Sequence, residues 1–317
     1  MKNRREFLKS SGLAAAAIGL GLPNFVMAKQ PADELFKISL AEWSLNRQLF
    51  AGRMDHLDFA KLAKRANIDA VEYVNQFFKD KAKDMAYLKE MKTRADGEGV
   101  TSVLIMCDGE GMLGAATSEG RKETVENHKK WVEAAKFLGC HSIRVNSYTA
   151  VPYSTSKDAE QEAINVCSSG LRQLCEFADD FDINVIIENH GGFSSNGMWL
   201  AEMIRQTAHK RAGTLPDFGN FRMNTEGDKI FSYDSYRGVD ELMPSAKGVS
   251  MKPMVWDDRG NETQLDYTRM MKIVLSHGFN GYVGIEHGTE GREWESIEEI
   301  RVNLDQVRRT LTNEKKV

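Results

Sequence analysis

The chain has 317 residues, 41 % of them hydrophobic and 28 % charged, with 42 Lys+Arg against 46 Asp+Glu, six prolines and four cysteines. That composition supplies a full apolar core and excludes disordered, collagen-like and disulfide-dense classes. A formal net charge of -4 also argues against nucleic acid as the main partner, because phosphate neutralisation calls for a basic face.

Residues 1–28 read as an export address. A basic start leads into a small-residue apolar stretch at 12–22, a break at Pro23, and Val26-Met27-Ala28, which fits a small-x-small cleavage site. The run Asn3-Arg4-Arg5-Glu6-Phe7-Leu8-Lys9 resembles the twin-arginine export signal. That resemblance implies a protein that folds in the cytoplasm and is exported folded to the periplasm or another extracytoplasmic space, leaving one domain at 29–317. Folding before export would keep Cys107, Cys140, Cys167 and Cys175 reduced; their spacings match no zinc motif, so they read as buried free thiols. Beyond residue 30 no apolar run approaches the ~20 residues of a membrane span. An exported protein also meets few sugar phosphates, which favours a neutral small molecule as ligand.

From residue 35 the chain alternates short β-branched runs with longer amphipathic ones, the pattern of a parallel sheet with crossover helices. Eight strands are predicted at 36–41, 70–74, 100–106, 142–146, 184–188, 212–217, 247–252 and 281–286. Helices are predicted between or after them at 57–65, 81–94, 123–138, 160–181, 198–210, 266–276 and 296–312, with the weakest helical pattern in the sixth crossover, around 233–242. Eight strand-helix units match an α/β fold of the single (β/α)8 TIM barrel type. An open doubly wound sheet would normally carry a Gly-x-Gly-x-x-Gly turn after an early strand, and this sequence has none. No linker or charge block marks a second domain.

Barrel chemistry sits at the C-terminal strand ends. Strand five ends in Ile187-Glu188-Asn189-His190-Gly191-Gly192, strand six in Pro216-Asp217-Phe218-Gly219-Asn220-Phe221, and strand eight in Gly284-Ile285-Glu286-His287. Three carboxylates meeting at one mouth repel unless they are protonated or share a cation, and a divalent metal removes that cost. All-oxygen ligation points to one hard or borderline divalent ion, Mn, Mg or Co, with Zn the remaining option.

These segments, with Ser250-Met251-Lys252 and Gly281-Tyr282-Val283-Gly284-Ile285-Glu286-His287, resemble the xylose-isomerase-like barrels of the sugar phosphate isomerase/epimerase group over about 36–312. The resemblance implies that Glu188, Asp217 and Glu286 bind one metal. It also implies a fourth ligand, a His on strand seven, where this chain has Ser250. Three completions stay open: water fills the shell, His190 swings in, or the metal is weak or absent.

Around that triad, Lys252 is either an electrophile that polarises a carbonyl or an ion-pair partner for Glu286 or Asp217. Arg144 is either a mouth residue or a satisfied interior charge. His190 and His287 are acid/base candidates, or donors that fix a carboxylate. Trp43, Tyr73, Asn75 and Trp256 are candidate sugar-facing walls, with ordinary packing as the alternative. His56, His128, His141, His209 and His277 read as structural or solvated.

The resemblance implies proton abstraction next to the carbonyl of an unphosphorylated keto-sugar or polyol, with Glu188 and Glu286 as bases and Lys252 or His190 steadying the oxyanion. Isomerase or epimerase is the first reading. A keto-inositol dehydratase or 3-keto-glycoside lyase using the same site is the second, and a non-catalytic periplasmic sugar-binding barrel the third. An abasic-site endonuclease would need more His ligands and a basic face. A homo-oligomer is left open.

Overall fold

The computed structural model describes residues 34–314, so the expected export signal lies outside the described residues. Twelve strands are present among them: β1 (Lys37–Ala41), β2 (Ala70–Val74), β3 (Thr101–Met106), β4 (Ser142–Val145), β5 (Asn184–Glu188), β6 (Ala212–Leu215), β7 (Arg222–Glu226), β8 (Lys229–Ser232), β9 (Val249–Met251), β10 (Met254–Trp256), β11 (Glu262–Gln264) and β12 (Tyr282–Ile285). Eight of these form one parallel sheet in the order β6-β5-β4-β3-β2-β1-β12-β9. The seam between β6 and β9 has no continuous ladder; it is spanned by isolated parallel bridges, Thr214 with Ala246 and Asp217 with Ser250. The result is a TIM barrel whose last joint is narrow. Each barrel strand begins and ends within two residues of its expected bounds.

The helices are α1 (Asn46–Phe50), α2 (Phe59–Arg65), α3 (Met85–Glu98), α4 (Ser118–Leu138), α5 (Lys157–Asp179), α6 (Gly197–Thr207), α7 (Ser235–Leu242), α8 (Tyr267–Ser276) and α9 (Glu293–Glu314). Several start where a side-chain oxygen takes an otherwise unpaired amide: Thr117 caps α4, Ser156 caps α5 and Asp266 caps α8. The sixth crossover does carry a helix, α7, but an antiparallel β7–β8 hairpin precedes it, and a second hairpin, β10–β11, follows β9. Neither hairpin was expected.

Alternation along each strand divides the apolar residues into two layers. Val71 and Tyr73 of β2, Ile105 of β3 and Ile187 of β5 join the large cluster between sheet and helices, whereas Ala70 and Val74, Leu104 and Met106, and Ile186 form a small cluster inside the barrel. Glu72 shares the inner parity. All four cysteines are buried and free, as the spacing implied, and burial raises the pKa of each thiol. Among the described residues no helix is long and apolar enough to cross a membrane.

Candidate active site at the barrel mouth

Each of three strands delivers its acid as expected. Glu188 closes β5, Asp217 lies two residues past β6 and Glu286 one residue past β12, and one carboxylate oxygen from each lies within 4.8 Å of the others. Glu188 and Asp217 are fully buried and Glu286 nearly so. That spacing lets a single divalent ion reach all three.

The donors around the triad define what each oxygen can do. Asp217 accepts the Gly219 amide at 2.8 Å on Oδ1 and Lys252 Nζ at 2.7 Å on Oδ2. Glu286 faces Lys252 Nζ at 3.1 Å with Oε1 and accepts Ser250 Oγ at 2.9 Å on Oε2. Glu188 accepts Asn220 Nδ2 at 2.8 Å on Oε1. Its Oε2 lies 2.9 Å from Arg144 Nε, but the N–H is not directed at it, so both atoms are buried without a hydrogen bond. Five of the six oxygens thus face a donor, and the sixth has a charge beside it and a free lone pair. An unpartnered buried oxygen on one of three clustered carboxylates fits a cation site.

The electrostatics separate the two glutamates. Burial pushes Glu188 up to about 8, with Arg144 opposing and Glu286 adding to the rise. Burial acts on Glu286 in the same sense, but Lys252, Arg144 and the Ser250 hydroxyl outweigh it and leave Glu286 below the ordinary carboxylate range. Burial raises Asp217, and Lys252 offsets this only in part. Lys252 itself is held above the usual lysine range: burial disfavours its charge, and Asp217, Glu286 and Glu188 more than compensate.

Lys252 and Arg144 both form ion pairs at the mouth. Lys252 pairs with Asp217 and Glu286 together, and Arg144 pairs with Glu188 and with Asp108, the latter at 2.7 Å. Lys252, His190 and Trp256 line one cleft of about 350 Å³ with Asn220, Arg222 and Met254. His190 is exposed at the rim, its Nδ1 3.1 Å from the Tyr148 hydroxyl. Desolvation in the crowded mouth, then Arg144 and Lys252, lower its pKa, so the ring is neutral near pH 7.

Other expected contacts are not made. Tyr73 is 2 % exposed and points outward from β2, edge-on to Phe59 and Phe78 with its hydroxyl on Ser102, so it is a packing residue and not a sugar-facing wall. Asn75 is fully buried and exchanges hydrogen bonds with the backbone of Asp108, which ties the loop after β2 to the loop after β3. His287 lines a different cleft, of about 290 Å³, with Pro253, Tyr267 and Thr289. Trp43 packs on Phe50 and Phe77 at the rim, in neither of those clefts.

Four features escaped sequence reasoning. Asp108 anchors Arg144 and Asn146 at 2.7 Å each. Asn220 steadies Glu188, and its place three residues after Asp217 was the available signal. Ser250 substitutes a hydrogen bond to Glu286 for ligation. Glu72, inside the barrel, accepts Ser39 Oγ at 2.6 Å and fits only because Gly284 has no side chain: a Cβ there would lie 2.5 Å from the carboxylate. Burial pushes Glu72 up to about 7.

A family model described as xylose isomerase-like TIM barrel matches residues 60–309. The chain belongs to that family. Solved structures similar to this xylose isomerase-like barrel include 3-keto-D-glucoside 4-epimerase from E. coli, at 17 % identity and TM-score 0.62 over 86 % of this chain and 99 % of that one. A D-tagatose 3-epimerase-like protein is similar at 19 % identity and TM-score 0.65 over 89 % and 100 %. A xylose isomerase-like TIM barrel protein from Mycobacterium smegmatis, in complex with magnesium, is similar at 13 % and 0.63 over 86 % and 96 %. At these identities the likeness concerns the fold. No curated protein matches the sequence significantly.

Proposed function

We propose that this barrel is a divalent-metal-dependent isomerase or epimerase that moves a proton next to the carbonyl of an unphosphorylated keto-sugar or polyol. The observation that carries the reading is the buried triad of Glu188, Asp217 and Glu286 with one oxygen, Glu188 Oε2, left without a hydrogen bond. Glu188, Asp217 and Glu286 would hold the ion, which when bound supplies Lewis acidity toward a carbonyl and its neighbouring hydroxyl. Manganese, magnesium or cobalt suits the all-oxygen donors, with zinc the softer option.

The chain's own residues handle the proton. Glu188 Oε2 accepts no hydrogen bond although the Arg144 charge lies beside it, so its lone pair is available to take or return a proton, and Glu286, from the β12 side of the mouth, is the second base. Lys252, in the same cleft as Trp256, is the donor for a developing oxyanion. Trp256 provides an apolar face for a sugar ring. The 3-keto-D-glucoside 4-epimerase neighbour and the resemblance of the N-terminus to a folded-export signal both support a neutral keto-sugar met outside the cytoplasm.

A second reading draws on His190. A neutral imidazole at the rim, with Nδ1 on the Tyr148 hydroxyl, can hydrogen-bond a leaving oxygen; the glutamate that took the substrate's proton would then hand it to that oxygen, turning the same carbanion toward elimination, as a dehydratase or 3-keto-glycoside lyase. The test is deuterium incorporation from heavy water into a panel of ketoses and 3-keto-glycosides, with product analysis and metal content measured on the same preparation. Exchange lost in both Glu188→Gln and Glu286→Gln, at unchanged far-ultraviolet circular dichroism, is the expected result. Sugar binding without exchange on any member of the panel would make this a binding barrel.

A further inference from the structure

The carboxylate triad already contains a cation of its own. Lys252 Nζ sits 2.7 Å from Asp217 Oδ2 and 3.1 Å from Glu286 Oε1, bridging two of the three acids that would hold a metal. Ser250 occupies the other oxygen of Glu286, and the Gly219 amide the other oxygen of Asp217. A divalent ion that binds all three acids must therefore share oxygens that already hold donors and sit beside the Lys252 ammonium, whose like charge opposes it, and it gains no imidazole from the strand-seven position in return. Each ammonium contact given up between buried partners is a charge-assisted hydrogen bond, stronger than a neutral one.

We infer that Lys252 is a resident cation that competes with the divalent ion for Asp217 and Glu286, so that ion affinity in this chain is set by how readily Lys252 leaves. This rests on the metal reading above and adds the residue that tunes it. Lys252 is the only lysine or arginine among the described residues with an ion pair to either of these two acids. Its side chain is 17 % exposed and also lines the cleft of about 350 Å³, so the ammonium stands between the triad and the space a substrate would enter. Ser250 is the second determinant. Its hydroxyl orients Glu286 toward Lys252 without contributing a strong ligand atom.

Manganese alone is the probe, titrated into ion-free protein and read as free ion by electron paramagnetic resonance, with melting temperature as a second readout. Lys252→Met removes the competitor and is expected to tighten manganese binding at least tenfold, and to melt higher on adding manganese by more than the wild type does. Lys252→Arg keeps a cation in place and is expected to stay within threefold of the wild type. Ser250→His supplies the missing ligand and is expected to tighten binding even with Lys252 present. Equal or weaker binding in Lys252→Met, with Ser250→His tightened, overturns the competition while leaving the metal reading intact. No binding by the wild type or any variant overturns the metal reading itself. Should Lys252→Met fold only with manganese present, the ion has replaced the lysine, which supports the proposal.

Discussion

Two groups of buried acids occupy this barrel, and they are treated differently by their neighbours. On the side of β1 to β4, Glu42 accepts the Val74 amide at 2.9 Å and pairs with His56 at 2.5 Å, and Glu110 accepts Trp131 Nε1 at 2.9 Å and Lys130 at 3.0 Å. Every oxygen of these two glutamates is used by a structural donor, whereas Glu72 of β2, inside the barrel, accepts Ser39 on one oxygen and leaves the other unpartnered. At the mouth, Glu188 keeps an oxygen with no hydrogen bond and sits beside two further acids. Burying a carboxylate costs several kcal/mol unless it is compensated, so the compensated pairs act as staples and an uncompensated one is a place where a ligand or a proton must complete the structure.

The sharpest way to break that contrast is to neutralise one acid of each kind. Glu188→Gln should lower proton exchange by about a thousandfold or more at a melting temperature close to that of the wild type, as expected of a group that acts in the transition state. Glu72, buried and aligned with the mouth but outside the triad, should show itself through pH. Its carboxyl keeps its proton up to about 7 in the fold against an ordinary value of 4.5, and Glu188 shifts in the same direction. The folded chain therefore binds protons that the unfolded chain has lost, and the stability this gives is complete below about 4.5 and disappears as pH rises through 7 to 8. Melting of ion-free protein should fall across that window, and Glu72→Gln should remove up to about 3 kcal/mol of the change. Glu110→Gln should cost about 2 kcal/mol, seen as a melting temperature roughly 5 °C lower with exchange per folded molecule retained. Tyr148→Phe is the mildest: it removes the hydroxyl from His190 and should change turnover by less than about tenfold, mainly through kcat at the acidic end of the profile.

Which parts of this were legible beforehand follows from range. The eight barrel strands could be read because each is a short β-branched run, and the three acids because they are the first charged residues after buried strands. Faces were harder. Tyr73 and Glu72 differ by one position on a strand buried along its whole length, so the sequence carries no polar face to show which of them points inward; the irregular pairing with β3 inserts Val103 on that strand and leaves the alternation of β2 intact. Asp108 was invisible for another reason: its partner Arg144 is 36 residues away. The hairpins β7–β8 and β10–β11 lie in connections whose mixed polar sequence gave no strand signal.

The narrow joint between β6 and β9 has a consequence for how this molecule would breathe. Main-chain fastening there consists of the Ser250 amide on Pro216, the Phe218 amide on Ser250 and the Lys247 amide on Thr214, and the side-chain clasp from Lys252 to Asp217 crosses at the same place. Whatever engages Asp217 also decides how firmly the last stave is held. Hydrogen–deuterium exchange at Ser250 should then act as a local gauge of site occupancy, faster in Asp217→Asn and slower when the mouth is filled.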